Sequence, residues 1–110
     1  IIISTPQEIA LQDVKRGIRM FDKLKVKILG LVDNMSHFVG DDGKKYAIFG
    51  EGGVKKTAEE FKKDFIGEIP IDPEVGKQGD LGSPIVESKP DHEISKKYFK
   101  FAEKIKSIYL

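Results

Sequence analysis

The hydrophobic pattern of residues 25–36 predicts the strand around which the rest of the chain is organised. Residues 28–32 (ILGLV) are apolar or glycine, and Asp33 and Asn34 end the run abruptly. An unbroken apolar run of this length is typical of a strand buried on both faces, as in parallel sheets covered by helices. We therefore predict a buried parallel strand that ends at Asn34.

The residues before this strand predict a first strand and a helix, which completes a βαβ unit. Residues 1–4 begin with three isoleucines, and at an exposed edge such a strand would promote aggregation. We therefore expect the chain to be a piece of a larger domain. Residues 5–8 (TPQE) have the form of a capping box with Thr5 as N-cap. Gly17 lies inside the helix predicted over residues 6–24. Because glycine is unfavourable within a helix, we expect close packing against a neighbour at this position.

The second half of the chain predicts shorter elements and a long final helix. The pattern predicts a turn at residues 40–43, a ribbon strand at 46–49, a helix at 54–63 and a strand at 65–69 that Pro70 stops. Residues 71–84 predict a loop with at most one helical turn near residues 73–77. From Pro90 or Asp91 a helix follows, with one apolar stripe at Ile94, Tyr98, Phe101, Ile105 and Ile108. The predicted fold class is α/β, a parallel sheet flanked by helices.

Composition narrows the function classes. The 110 residues suffice for one domain, and the net charge of +1 gives no electrostatic reason to expect nucleic acid or a membrane as partner. The chain has no cysteine, which excludes disulfides, thiolate catalysis and cysteine-held clusters within it. No apolar run approaches the roughly 18 residues that span a bilayer. We expect a cytoplasmic protein.

Three features suggest ligand chemistry, each with a plainer alternative. Residues 50–57 (GEGGVKKT) resemble a phosphate-binding loop, but Lys55 stands where that loop needs glycine, so we interpret them as a turn leading into a helix. The Asn34 amide offers a donor and an acceptor to an adenine edge, or it only ends a strand. Asp72, between two prolines, contacts a ligand or only turns the chain. His37 and His92 are interpreted as solvated or structural.

Five stretches together resemble one family. They are residues 4–21 (STPQEIALQDVKRGIRMF), 30–36 (GLVDNMS), 48–53 (IFGEGG), 67–72 (GEIPID) and 80–84 (DLGSP). In this order they are similar to the C-terminal part of the Mrp-type ATPases, iron–sulfur cluster carriers of the MinD-like class of P-loop NTPases. The resemblance implies that residues 1–110 are the C-terminal portion of a single P-loop ATPase domain whose phosphate loop lies upstream. It further implies a homodimeric parent that binds ATP with Mg, and a fragment that is inactive alone.

The resemblance also implies a site. Asn34 becomes the adenine-recognition residue, and Pro70, Ile71 and Asp72 close over the base from the other side; no catalytic or metal-binding residue is implied. Many members carry a Cys-x-x-Cys pair after the Asn-Met-Ser motif, whereas residues 39–45 (VGDDGKK) contain no thiolate. A protein that handles clusters would do so without that pair or through residues outside this chain, and the resemblance implies cluster client or scaffold proteins as partners.

Two alternatives to a cluster carrier remain open at this stage. The first is a MinD- or ParA-like positioning ATPase, whose amphipathic last helix would bind anionic membranes instead of docking on the sheet. The second is an interaction domain that keeps the ATPase fold without its chemistry.

Overall fold

Between residues 1 and 109, which the computed structural model describes, the chain forms four strands and five helices. The strands are β1 (Ile2–Ser4), β2 (Leu31–Val39), β3 (Lys45–Tyr46) and β4 (Phe65–Ile71). The helices are α1 (Glu8–Lys23), α2 (Gly53–Glu60), α3 (Pro73–Asp80), α4 (Ile85–Ser88) and α5 (Glu93–Tyr109). The chain divides into two compact units, and the second begins at Asp72. None of these helices is long and apolar enough to cross a membrane.

Strand β2 is the centre of the sheet in the first unit. It pairs in parallel with β1 and with β4, and the end of β2 pairs antiparallel with β3. The predicted α/β class with flanking helices is confirmed, but the sheet is mixed because the chain turns back at residues 40–43 and adds β3. The parallel part brings the carboxyl ends of β1, β2 and β4 to one edge.

The core of the first unit lies where α1 and α2 pack together with β2. Its buried members are Leu11, Ile18, Leu31, Val54 and Ala58. Ile18 and Leu31 are fully buried, and each such side chain contributes roughly 1.5–3 kcal/mol by leaving water. The helix predicted from the apolar spacing before β2 is therefore confirmed, with its apolar face inward.

The predicted end of the central strand is wrong. Strand β2 begins at Leu31 and continues through Asn34 to Val39. Asn34 is in register with Ile69 of β4, and an irregularity follows before Phe38, within which Met35 has a positive φ of 54°. Such a bulge disrupts the ladder locally, and the pairing of β2 with β4 resumes at Phe38 and Ile71.

The predicted start of α1 is also wrong in detail. The N-cap is Gln7, and no side chain caps the helix. The Thr5 hydroxyl donates to Gln7 Oε1 at 3.0 Å. Because Gln7 and not Thr5 occupies the N-cap position, no capping box forms. A Cβ atom added to Gly17 would meet nothing within 4 Å, so the close packing predicted there is wrong.

Strand β4 and the elements after it differ from the prediction in extent. Pro70 does not stop β4, because it falls between the registered residues Ile69 and Ile71, where a missing N–H removes no ladder bond. Helix α3 has eight residues instead of one turn. Its start is fixed by Asp72, whose carboxylate accepts the Glu74 N–H at 2.8 Å.

Helices α4 and α5 are held together by one buried serine. Ser95 is fully buried, and its hydroxyl lies 2.9 Å from the Ile85 carbonyl oxygen and 2.7 Å from that of Lys89. Helix α5 begins at Glu93, later than predicted, after His92 Nδ1 accepts the Ile94 N–H at 3.1 Å. Ile94 is buried as expected. Two other members of the predicted apolar stripe, Tyr98 and Ile108, are exposed.

Candidate functional site

The carboxyl edge of the parallel strands carries a row of polar residues. Ser4 of β1 pairs with Asp33 of β2, and Asp33 pairs with Glu68 of β4. Ligands of open α/β sheets bind beyond this edge. The next pair along the strands is Asn34 and Ile69. Because side chains alternate along a strand, this pair lies on the opposite face of the sheet from Asp33 and Glu68.

The four residues predicted to contact adenine lie in two units. In the first unit Asn34 is half-buried on β2, and Pro70 and Ile71 are half-buried at the end of the adjacent β4. The structure therefore brings these three to one edge of one sheet. In the second unit Asp72 caps α3, and its Oδ2 lies 3.3 Å from His92 Nε2. The carboxylate of Asp72 is thus already engaged within its own unit.

A cleft that was not predicted lies at the same edge. It has a volume of about 150 Å³ and is lined by Asp33, Ser36, His37, Lys45, Glu51 and Glu68, together with Ala47 and Gly52. None of the residues predicted to contact adenine lines it.

The carboxyl group of Asp33 has a raised pKa. It is 5% exposed, and its Oδ1 atom is buried without a hydrogen-bond partner. Burial, with a smaller contribution from the negative charge of Glu68, raises the pKa of the Asp33 carboxyl from 3.8 to about 6. A cleft carboxyl whose pKa is raised by burial marks a candidate functional site.

Three other polar groups of the cleft, those of Ser36, His37 and Glu68, lie close to one another. Ser36 Oγ donates to the Ile69 carbonyl oxygen at 3.2 Å and lies 3.0 Å from His37 Nδ1. His37 Nδ1 lies 3.8 Å from Glu68 Oε1. His37 is therefore held by its neighbours, in agreement with its interpretation as a structural residue.

Sequence reasoning missed Asp33 because it read the residue as the end of a strand. The available signal was its position: a carboxylate directly after a buried apolar run falls at the ligand-binding edge of a parallel sheet. Glu68 and Lys45 carried no comparable signal, since only the pairing of strands brings them near Asp33.

The glycine-rich residues 50–57 form a turn leading into α2, as the sequence predicted. Gly50 and Gly52 have positive φ angles of 110° and 74°. A Cβ at Gly53 would meet Leu11 Cδ1 at 2.5 Å and the Pro6 carbonyl oxygen at 3.1 Å, so this glycine permits close packing. The Thr57 hydroxyl donates to the Gly53 carbonyl oxygen within the helix.

Residues 39–45, which contain no cysteine, form a hairpin with polar contacts of its own. The Asp42 carboxylate accepts the Tyr46 hydroxyl at 2.6 Å and the Lys44 N–H at 2.9 Å, and these bonds hold the pKa of Asp42 below its usual value. The chain contains no cysteine. Within residues 1–109 no group of three or more His, Asp or Glu residues could hold a metal ion. The residues present do not fit an iron–sulfur cluster.

Replacing Asp72 with alanine tests whether its carboxylate serves the fold. The change removes the acceptor of the Glu74 N–H, and we expect a loss of about 1 kcal/mol in the free energy of unfolding. Asparagine keeps the acceptor, so Asp72→Asn is the matched control. We expect it to lower the free energy of unfolding by only a few tenths of about 1 kcal/mol. Urea denaturation measures both, and equal stability of the two variants would contradict a capping role.

Comparison with known proteins identifies the family. A profile of the ParA family, described as NUBPL iron-transfer P-loop NTPases, matches residues 1–106. An iron–sulfur cluster carrier protein of Aquifex aeolicus is 39% identical over 98% of this chain, which covers 30% of that protein. A nucleotide-binding protein of Archaeoglobus fulgidus, solved in complex with ADP, is 39% identical with a TM-score of 0.66 over 81% of this chain and 37% of that one.

A more distant structure supports the fold alone. The cell division ATPase MinD of Pyrococcus furiosus is 23% identical, with a TM-score of 0.71 over 96% of this chain and 40% of that chain. The chain thus spans about a third of the length of the relatives it matches. The resemblance to the MinD-like cluster carriers found in the sequence is confirmed. With nearly its whole length matched, the chain belongs to the ParA family, among the NUBPL iron-transfer P-loop NTPases.

Proposed function

We propose that this chain is the C-terminal portion of a P-loop NTPase domain of an iron–sulfur cluster carrier, and that it supplies the adenine-recognition part of the nucleotide pocket. The observation that carries the proposal is the placement of Asn34 on β2 beside the end of β4, where Pro70 and Ile71 follow Ile69. The relative solved in complex with ADP supports a nucleotide as the ligand.

The proposed contacts follow from the side-chain chemistry. The amide of Asn34 presents one donor and one acceptor, which match the paired donor and acceptor of an adenine edge. Pro70 and Ile71 offer apolar surface to the face of the base. Asp72 follows Ile71 directly in the chain, and we assign it to the same loop, with its carboxylate serving to start α3.

The remaining functions belong to the parent protein in this proposal. Phosphate binding, Mg binding and ATP hydrolysis use residues outside this chain, and the chain alone has no ATPase activity. The parent acts in the cytoplasm as a homodimer with cluster client or scaffold proteins. Its cargo cluster is held by thiolates from elsewhere in the parent or from a partner, because this chain has none.

Asn34→Ala in the full-length parent tests the adenine contact. We expect ATP affinity to fall by about 10- to 100-fold, because two hydrogen bonds to the base are lost, each worth roughly 0.5–1.5 kcal/mol. Inorganic triphosphate, which has no base, keeps its affinity. Calorimetry measures both ligands.

The matched control for Asn34→Ala is Gln12→Ala, which removes an amide from an exposed position of α1. This control keeps full ATP affinity. Unchanged ATP affinity in Asn34→Ala, or an equal loss for ATP and triphosphate, would refute an adenine contact and leave the family membership untouched.

A further inference from the structure

The cleft beside β2 contains a buried acceptor that no neighbouring group satisfies. Asp33 Oδ1 is buried and has no hydrogen-bond partner. Two hydroxyls on the paired strands, those of Ser4 on β1 and Ser36 on β2, do not serve it, because each has one proton and donates it elsewhere. Ser4 Oγ donates to the Thr5 carbonyl oxygen at 2.8 Å, and Ser36 Oγ donates to the Ile69 carbonyl oxygen.

We propose that this cleft is a binding site for a guanidinium group, which donates to the Asp33 carboxylate and to the Glu68 carboxylate on the adjacent strand.

The charges of the cleft favour a cation. Three carboxylates line it, those of Asp33, Glu51 and Glu68, against one lysine, Lys45, and the imidazole of His37. An anion would meet the buried Asp33 carboxylate directly, and such a pair of like charges is repelled strongly where water is excluded. A metal ion is disfavoured, since within residues 1–109 no three potential ligands converge.

The arrangement of the two carboxylates favours guanidinium over ammonium. Asp33 and Glu68 are registered neighbours on parallel strands, which lie about 4.8 Å apart. A planar guanidinium has five donors in a fixed fork and can satisfy two acceptors at such a separation. An ammonium is a compact point charge that is more strongly hydrated, so it gains less from a partly buried pair.

The size of the cleft limits what enters it. Pockets for whole small molecules usually exceed about 300 Å³, whereas this cleft has about 150 Å³. It therefore accommodates the end of a side chain. The guanidinium comes from an arginine side chain of a polypeptide or from a free guanidino compound, and the test separates these two sources.

The test is a titration of the protein followed by NMR, with N-acetyl-arginine methylamide as probe and N-acetyl-citrulline methylamide as its neutral isostere. We expect saturable shifts of the amide signals of residues 33, 37 and 68 with the arginine probe and none with citrulline. Binding also moves the Asp33 carboxyl titration to lower pH, because the cation stabilises the ionised form. Free arginine binding more tightly than the blocked probe would indicate a free compound as the source; the reverse indicates a polypeptide.

Two variants complete the test. Asp33→Asn weakens binding by about tenfold, because asparagine keeps an oxygen acceptor but loses the negative charge that strengthens a hydrogen bond to a cation. Asp41→Asn, the same charge change at an exposed turn outside the cleft, leaves it unchanged. Equal shifts with arginine and citrulline, equal affinity for methylammonium, or full binding by Asp33→Asn would overturn the proposal. Should Asp33→Asn not fold, the comparison of arginine with citrulline on the unaltered protein decides alone.

Discussion

Asp33→Asn is expected to stabilise the isolated protein by about 3 kcal/mol at pH 8 and to leave its stability nearly unchanged at pH 3. The carboxyl pKa rises from 3.8 to about 6 on folding, and each pKa unit corresponds to about 1.4 kcal/mol. Asparagine keeps the shape of the side chain and removes the buried charge that causes the shift.

Proton linkage determines in which direction the stability of the protein changes with pH. A raised pKa means that the folded protein holds the Asp33 proton more tightly than the unfolded chain does. The contribution to stability is therefore fully present below pH 3.8, is lost as the pH rises from about 4 to about 6, and stays lost above that. Urea denaturation of both proteins at several pH values between 3 and 8 measures the difference.

Glu51→Gln is the control for this pH dependence, because Glu51 lines the same cleft but is exposed. Its stability difference from the unaltered protein stays small at every pH. If Asp33→Asn were no more stable than the unaltered protein at pH 8, the Asp33 carboxylate would not be buried and unpaired, and the guanidinium site would lose its basis.

Gly30→Ala is expected to destabilise the protein by roughly 2–3 kcal/mol, in the range of overpacked interiors. An added Cβ would meet Ile66 Cγ1 at 2.6 Å and the Asp64 carbonyl oxygen at 2.8 Å. The second contact is with backbone, and that same oxygen accepts the Leu31 N–H at 2.9 Å. The methyl group therefore forces apart the start of the pairing between β2 and β4.

Gly17→Ala is the matched control, the same change in α1, where a Cβ meets nothing within 4 Å. It is expected to stabilise the protein by up to about 1 kcal/mol, because alanine is the better helix former. Thermal unfolding of both variants measures the contrast. Two variants of equal stability would show that the approach of β4 to Gly30 is looser than the structure indicates.

The candidate adenine contacts come from short stretches with a family pattern, and they stay a prediction. Asn34 and the Pro70–Ile71 pair are recognisable from residues 30–36 and 67–72 alone, and the structure brings both to one sheet edge. The role of Asp72 as a helix cap was missed, since the glycines at 76 and 79 argued against a helix there. Asp72 and Pro73 together start α3 despite them.

The sequence by itself determined the α/β class, helix α1, the central apolar strand and the family, because these depend on periodicity and on contiguous motifs. Only the tertiary structure decided the length of β2 and the chemistry of Asp33. Strand β2 continues through the largely polar residues 33–37 because β4 pairs with it at Asn34 and again at Phe38. No pattern within one segment reports on its partner. The same pairing buries Asp33 beside Glu68, thirty-five residues away in sequence, and leaves its Oδ1 without a donor.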